Sequence, residues 1–316
     1  MRHLTYFKLG QHRGAPRIWF EGRRLEDIGA MPGSRFDLRV DPATRSLTII
    51  ISESGVRRVS SKPDGRPCLD INTKALAAVL GPVDRVRATF SPGRIVVTVH
   101  PDDAAAAERL ERLNRRLNAG HALSVGSLFH GAGILDNALH AGLGVAGVKT
   151  ALAFAVEVED RFLQTSLRNN PIWTRDALAV AGSVDEVDLH ALPKVDILTA
   201  GIPCTGASLA GRAKRGLDHA ESHPTAGHLF VAFLAIVKAT NPGIVLIENV
   251  PPYQHTASME AIRGTLGVLG YDLHETILDA HDLGALEARK RLCAVAVTRG
   301  LPFSWEGLTA IRDREK

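Results

Sequence analysis

Cys204 follows Pro203 at the end of the apolar run Val195-Asp196-Ile197-Leu198-Thr199-Ala200-Gly201, and a second apolar run, over 243–248, leads into Glu248-Asn249-Val250. A thiol behind a proline at one strand end and a carboxylate at another can face a single pocket. A thiolate is a strong nucleophile, and a carboxylate opposite it can steady the far edge of a ring. That pairing suits covalent chemistry on a pyrimidine. Cys68 and Cys293 have no such partners and read as structural. Three widely spaced cysteines provide neither a disulfide framework nor a zinc-ligand spacing, so no metal is expected.

The groups that could react must be held at strand ends. From Ala122 onward, apolar segments alternate with helical ones, with candidate strands at 123–128, 151–158, 195–200, 243–248, 271–279 and 292–298. A helix over 227–239 would turn Leu229, Phe230, Phe233, Leu234 and Val237 inward. Buried, β-branched strands separated by helices predict an α/β fold with a mostly parallel sheet covered on both faces. In such sheets ligands bind at the carboxyl ends of the strands. The first strand ends in Ser127-Leu128-Phe129-His130-Gly131-Ala132-Gly133, with a helix beginning near Leu135. Two glycines there admit close backbone approach; a tight β-to-α turn without a ligand fits equally well. The second strand ends in Val156-Glu157-Val158-Glu159-Asp160. An acid there can accept hydrogen bonds from both hydroxyls of a ribose, or serve only as a helix N-terminal charge.

Phe129-x-Gly131-x-Gly133, Glu157, Pro203-Cys204 with Ser208, Glu248-Asn249-Val250, and Gly284 followed by Arg289-x-Arg291 stand in one order. In that order residues 123–300 resemble the cytosine-C5 DNA methyltransferase family. The resemblance implies a Rossmann-like sheet, S-adenosyl-L-methionine as cofactor, and methyl transfer to C5 of cytosine in DNA. It sets Phe129 against the adenine or methionine portion of the cofactor and Gly131 and Gly133 where the backbone meets it. Glu157, with Val158 beside it, would hold the ribose, and Asp196 and Pro203 would lie near the cofactor. Cys204 would add to C6 of the base, Glu248 would hydrogen-bond N3 and the exocyclic amine, and Arg291 with Arg289 would bind the O2 side or the adjacent phosphate. Ser208 and Arg212 would face the substrate, Arg212 from the basic loop over 209–216. Asn249 would brace the backbone of the loop carrying Cys204. A target atom hidden in a duplex requires a flipped base or a single strand. The same chemistry on RNA, and a non-catalytic nucleic-acid-binding regulator, are the alternative readings.

Three departures from the family pattern stand out. Ser183 occupies its third acidic position, with Asp185 as the substitute. Leu286-Glu287 replaces a Pro-Gln pair ahead of the arginines. Only sixteen residues follow Gly300, where the family continues into a target-recognition region and a final helix. The segment over 101–117 reads as a helix, with Leu110, Leu113 and Leu117 as its apolar stripe. It is expected to stand in for that final helix, as in a circular permutation, while the N-terminal part takes over target recognition. A second subunit supplying recognition is the alternative.

That N-terminal part is the basic one. Residues 1–120 carry 21 Lys and Arg against 13 Asp and Glu, whereas residues 121–316 carry 17 against 21. The imbalance favours a polyanionic partner at the front of the chain; a solvated basic face fits the charge equally well. Residues 15–50 and 67–99 read as two copies of one unit: short helix, Pro/Gly turn, strand, turn, strand. Units so small are expected to pack together into one β-rich module. Through Gly22-Arg23-Arg24-Leu25-Glu26-Asp27-Ile28-Gly29 and Pro32-Gly33-Ser34-Arg35-Phe36, the first copy resembles the swapped-hairpin units of AbrB-like and SymE-like proteins, which implies DNA or RNA binding. The expected organisation is a hairpin module over 1–100 and a methyltransferase domain over 101–316. No apolar run is long enough to span a bilayer and no signal-peptide core opens the chain, so a cytoplasmic protein without a membrane partner is expected. The thirteen histidines, His130, His219, His223 and His228 among them, are expected on solvated or nucleic-acid-facing segments.

Overall fold

The computed structural model describes residues 2–12, 14–81, 83–203 and 227–308, so Cys204, Ser208, Arg212, His219 and His223 lie outside the described residues. The chain divides into two compact units, 1–104 and 105–316.

The first unit is built from β1 (His3–Lys8), β2 (Gly10–His12), β3 (Ala15–Glu21), α1 (Arg23–Glu26), β4 (Arg35–Asp41), β5 (Ser46–Ile51), β6 (Arg57–Arg58), β7 (Ser60–Ser61), β8 (Pro67–Asn72), α2 (Lys74–Leu80), β9 (Arg85–Ser91) and β10 (Arg94–Val99). Its strands form two sheets, in the orders β1-β9-β10-β5-β4-β6 and β2-β3-β8-β7. Each half runs strand, helix, hairpin: β3-α1-β4-β5, then β8-α2-β9-β10. Corresponding strands pair with each other, β3 with β8 and β5 with β10, both antiparallel. That pairing is what a pseudo-two-fold between the halves requires. The periodicity of the hairpins is visible in the sequence, but β3 and β8 are less so, because charged residues and a proline interrupt their short apolar stretches, Ile18-Trp19-Phe20 and Cys68-Leu69. Alternate side chains of both halves, among them Ile18, Phe36, Ile49, Ile71, Val86 and Ile95, close into one core, the burial neither half could reach alone.

The helix α3 (Pro101–Asn118) crosses the division between the units in its first turn. Its buried face differs from the leucine stripe read in the sequence. Arg109, Arg112 and Leu113 are buried, while Leu117 is exposed. The guanidinium of Arg109 lies over the ring of Tyr271, 3.8 Å from its centroid. It donates to the carbonyl oxygens of Leu269 and Gly270 at 2.8 and 2.9 Å. Arg112 donates to the carbonyls of Val195 and Asn241. Arginine stems pack like apolar side chains while their forks satisfy buried carbonyls, so an apparently polar helix face can be the docking face.

The second unit continues with β11 (Leu123–Leu128), α4 (Ile134–Val145), β12 (Thr150–Glu157), α5 (Asp160–Asn169), β13 (Leu178–Ala181), β14 (Ile197–Ala200), α6 (Leu229–Thr240), β15 (Ile244–Asn249), a 3-10 turn at Pro251–His255, α7 (Ala257–Val268), β16 (Tyr271–Asp279) and β17 (Lys290–Thr298). Among the described residues the sheet has the order β13-β12-β11-β14-β15-β17-β16. The pairings from β13 through β15 are parallel; β17 runs antiparallel between β15 and β16. This is a Rossmann-like α/β sheet of the methyltransferase type. Phe233, Ile236 and Val237 of α6 and Met259, Ile262 and Leu266 of α7 pack on the same core as Leu198, Val245 and Ile247. The strand order reverses at β11, which lies between β12 and β14, and the crevice at that switch point is where such sheets bind ligands. Among the described residues no helix is long and apolar enough to cross a membrane.

Candidate active site

The carboxyl ends of β11, β12, β13 and β14 lie side by side. Gly201 N donates to Leu128 O at 3.3 Å, His130 N to Val156 O at 3.1 Å, and Gly182 N to Glu157 O at 3.0 Å. Glu157 is 8% exposed and stitches the crevice together. Its Oε2 accepts from Gly131 N at 2.6 Å and its Oε1 from Glu159 N at 2.9 Å. A carboxylate offers about four lone-pair sites, so both oxygens keep capacity for a diol. Next to it Val158 leaves an apolar side chain 65% exposed.

Phe129 packs on the main core with φ 55°, and Gly131 and Gly133 have φ 58° and 77°. A Cβ at Gly133 would fall within 3.0 Å of Asn170 Nδ2, Ser166 Oγ and His130 Nε2. Asp185, beyond β13, accepts from the Ser183 hydroxyl and pairs with His228 Nε2 at 3.0 Å. The Ser183 hydrogen bond, and then His228, hold its carboxyl below the usual carboxylate range. A buried acid with spare acceptors, a turn of positive-φ residues and an exposed apolar side chain fit a nucleoside-bearing cofactor such as S-adenosyl-L-methionine.

Asp196 stands apart from this crevice, contrary to the expectation that it lies near the cofactor. It is 0% exposed and precedes β14, at the amino end of the sheet. There it pairs with Arg112 Nε at 3.1 Å and Arg116 Nε at 3.3 Å, and accepts from Ser124 N and Oγ at 2.9 Å each. A strand of four residues separates the two ends of β14, so one cannot substitute for the other. His130 is likewise not on a solvated segment; it is 5% exposed and hydrogen-bonded on both ring nitrogens. His228, by contrast, is exposed as expected, and it pairs with Asp185.

The second cluster forms where β15 and β17 pair. Glu248 stands opposite Cys293 and Asn249 opposite Leu292. Glu248 Oε1 lies 2.8 Å from Arg291 Nε, whereas Arg289 is exposed just before β17. Asn249 is buried, and its side-chain Nδ2 donates to Ile202 O at 3.1 Å while its Oδ1 accepts from Val250 N. The end of β15 therefore carries a paired acid on one face and, on the other, an amide that holds the backbone ahead of Pro203. Cys293, though beside Glu248, is a poor nucleophile: burial, with the Glu248 charge adding, pushes its thiol up to about 11. Among the described residues no cluster of His, Cys, Asp and Glu could hold a metal ion.

Comparison with known proteins agrees with this layout. The family described as C-5 cytosine-specific DNA methylase matches residues 123–315. The type II methyltransferase M.Eco47II of Escherichia coli is 34% identical over 187 residues, covering 56% of this chain and 41% of that protein. The type II methyltransferase M.MspI of Moraxella sp is 32% identical over 127 residues, covering 39% and 29%. The chain thus spans less than two thirds of the length of these curated relatives. Among solved structures, the S. pombe Dnmt2 methyltransferase superposes at a TM-score of 0.44 with 20% identity, covering 58% of this chain and 51% of that one. The matched segment opens at Leu123, the first residue of β11, and contains every strand of the seven-stranded sheet. The chain belongs to the C-5 cytosine-specific DNA methylase family.

Proposed function

We propose that the protein is a DNA (cytosine-5)-methyltransferase that uses S-adenosyl-L-methionine. The observation that carries the reading is the end of β15: Glu248 is paired with Arg291 at 2.8 Å, and its neighbour Asn249 holds Ile202 O, two residues ahead of Cys204. Family membership adds the order of the motifs.

C5 of cytosine is a weak nucleophile. In the proposed reaction the Cys204 thiolate forms a bond to C6, and the ring electrons shift so that C5 becomes enamine-like. Glu248 faces N3 and the exocyclic amine and stabilises the adduct. Arg291 fixes the Glu248 carboxylate, and Arg289, exposed ahead of β17, would meet a phosphate. The cofactor, when bound, supplies an electrophilic sulfonium methyl group. Departure of the C5 proton and of the Cys204 thiolate restores the aromatic ring. On the cofactor side Glu157 takes the ribose hydroxyls, Val158 and Phe129 flank the purine and methionine portions, and Gly131, Gly133 and Pro203 line the approach. Asp185 stands where the adenine amine would be read.

The basic repeat module over 1–100 is proposed to bind nucleic acid. Its excess of arginine supports this, since arginines neutralise phosphates without reading sequence.

The test is covalent trapping. A duplex containing 5-fluorocytosine retains fluorine where the proton must leave, so with the cofactor it should give a denaturation-resistant adduct to the wild-type chain and none to Cys204→Ala. An adduct with RNA alone would move the activity to RNA. Absence of an adduct with either, together with no S-adenosylmethionine binding, would leave a nucleic-acid-binding protein.

A further inference from the structure

One buried polar cluster has no part in the chemistry above. His130 Nδ1 lies 2.9 Å from Asp136 Oδ2 and 2.9 Å from Ser127 Oγ. Ser127 donates to the same carboxylate oxygen at 2.6 Å. Thr199 of β14 donates to the other, Oδ1, at 2.6 Å. On the far side of the ring, His130 Nε2 is 2.8 Å from Ser166 Oγ, which also accepts from Trp173 Nε1 at 3.0 Å. Every donor meets an acceptor when a neutral His130 carries its proton on Nδ1: the ring and both hydroxyls then donate to Asp136, and Ser166 donates to Nε2. Asp136 is 1% exposed.

Serine, histidine and aspartate together suggest a hydrolytic triad, but this cluster cannot act as one. Ser127 is as buried as Asp136, its hydroxyl is committed to a carboxylate, and both ring nitrogens are occupied, so no substrate carbonyl can reach it. Its location points elsewhere. Phe129, the residue before His130, is held at φ 55°, a left-handed conformation that a non-glycine residue keeps only where its surroundings over-determine it. The surroundings here are the cluster and its attachments: the His130 ring is pinned on both sides, its backbone N–H is bonded to Val156 O, and Gly131 N is bonded to Glu157. The cluster also occupies the space that a side chain at Gly133 would need, through His130 Nε2 and Ser166 Oγ.

We propose that His130 and Asp136 are positioning residues, which set the Phe129–Gly131 turn in its cofactor-binding shape before the cofactor arrives. Through Thr199, Asp136 also ties that turn to the strand leading to Pro203. The inference rests on the methyltransferase reading and identifies what preorganises its cofactor turn. Preorganised turns lower the ordering cost of binding, so loosening this one weakens cofactor affinity even where the fold survives. Cutting the Thr199 bond loosens the link to β14 while leaving the histidine in place.

The test compares His130→Asn, Ser166→Ala and Thr199→Val in the full chain. S-adenosylmethionine Kd is measured by calorimetry, melting temperature separately, and the cofactor KM against kcat in methyl transfer to a cytosine duplex. His130→Asn should melt cooperatively and bind the cofactor roughly tenfold or more weakly, with the loss in Kd and cofactor KM exceeding the loss in kcat. Thr199→Val should show the opposite split. A folded His130→Asn that binds within about twofold of wild type overturns the proposal, as does a lowered melting temperature with unchanged Kd, KM and kcat in all three variants. Should His130→Asn fail to fold, Ser166→Ala decides, because it leaves the ring in place and removes its hydrogen bond at Nε2, together with the one Ser166 accepts from Trp173. Weakened binding upholds the proposal and unchanged binding overturns it. A wild-type chain that binds no S-adenosylmethionine overturns the methyltransferase reading, and this proposal falls with it; wild-type binding matched by the variants removes this proposal alone.

Discussion

Glu248 and Arg291 meet across an antiparallel strand pair, Oε1 to Nε at 2.8 Å, with both side chains partly open to solvent. A carboxylate that only stabilised the fold from such a place would contribute about 0–1 kcal/mol. Replacing Glu248 with Gln should therefore leave the melting temperature nearly unchanged. Methyl transfer from labelled cofactor to duplex DNA should nevertheless fall about 100-fold or more, the scale of losing one group aimed at developing charge. A Glu248→Gln enzyme as fast as wild type would remove Glu248 from the reaction.

Glu157 accepts two backbone N–H groups and is proposed to accept two ribose hydroxyls. Glu157→Gln turns one acceptor oxygen into an NH2 that must face a donor. Hydrogen bonds to a charged group are worth about 1.5–3 kcal/mol, so S-adenosylmethionine Kd should rise about 10- to 100-fold. Calorimetry on the folded variant measures this directly, and an unchanged Kd would place the ribose elsewhere.

Asp196 has no exposed surface and is held by Arg112, Arg116 and Ser124. Removing one partner from a buried ion pair costs about 3–5 kcal/mol, reduced here because Arg116 and Ser124 remain. Arg112→Ala should lower the urea midpoint of the second unit by the equivalent of about 2–3 kcal/mol. Asp196→Asn, where it folds, should keep the wild-type cofactor Kd. Weakened cofactor binding in that variant would return Asp196 to the cofactor crevice.

Cysteine reactivity separates the thiols by pH. A raised pKa favours the neutral thiol, and only the thiolate is alkylated. Cys293, pushed up to about 11 by burial, should gain reactivity only as the pH approaches that value. Burial also raises the Cys68 thiol. At pH 8, rapid iodoacetamide labelling read by peptide mass should fall on Cys204, and protection of Cys204 by a cytosine duplex would tie it to the substrate. Fast labelling of Cys293 at pH 8 would contradict its environment.

The strands of the second unit were legible wherever they are buried on both faces, because continuous apolar runs such as Ile244–Ile247 mark themselves. The edge strand β13 was not read from the sequence: its run Leu178-Ala179-Val180-Ala181 is only four residues long and half alanine, with one β-branched residue to mark it as a strand. The order of Phe129, Glu157, Pro203, Glu248 and Arg291 along the chain was readable too, since the first four stand at or just after the end of an apolar run and Arg291 stands just before one. What linear spacing cannot contain is which end of a strand a residue occupies once the sheet assembles, and which polar groups are sealed from water. Asp196 and Gly201 bracket one short strand yet serve opposite edges of the sheet. Arg109 and Arg112 stand outside the leucine stripe of their helix but lie in the interior, where they donate to carbonyls brought there by Leu269, Gly270 and Asn241. His130 and Asp136 are six positions apart, and their burial depends on Thr199 and Ser166 arriving from β14 and α5. Sequence alone determined the family; only the tertiary structure decided which polar side chains lie at the crevice and which are sealed in the interior, because burial and hydrogen-bond partnership are properties of chain segments meeting in space.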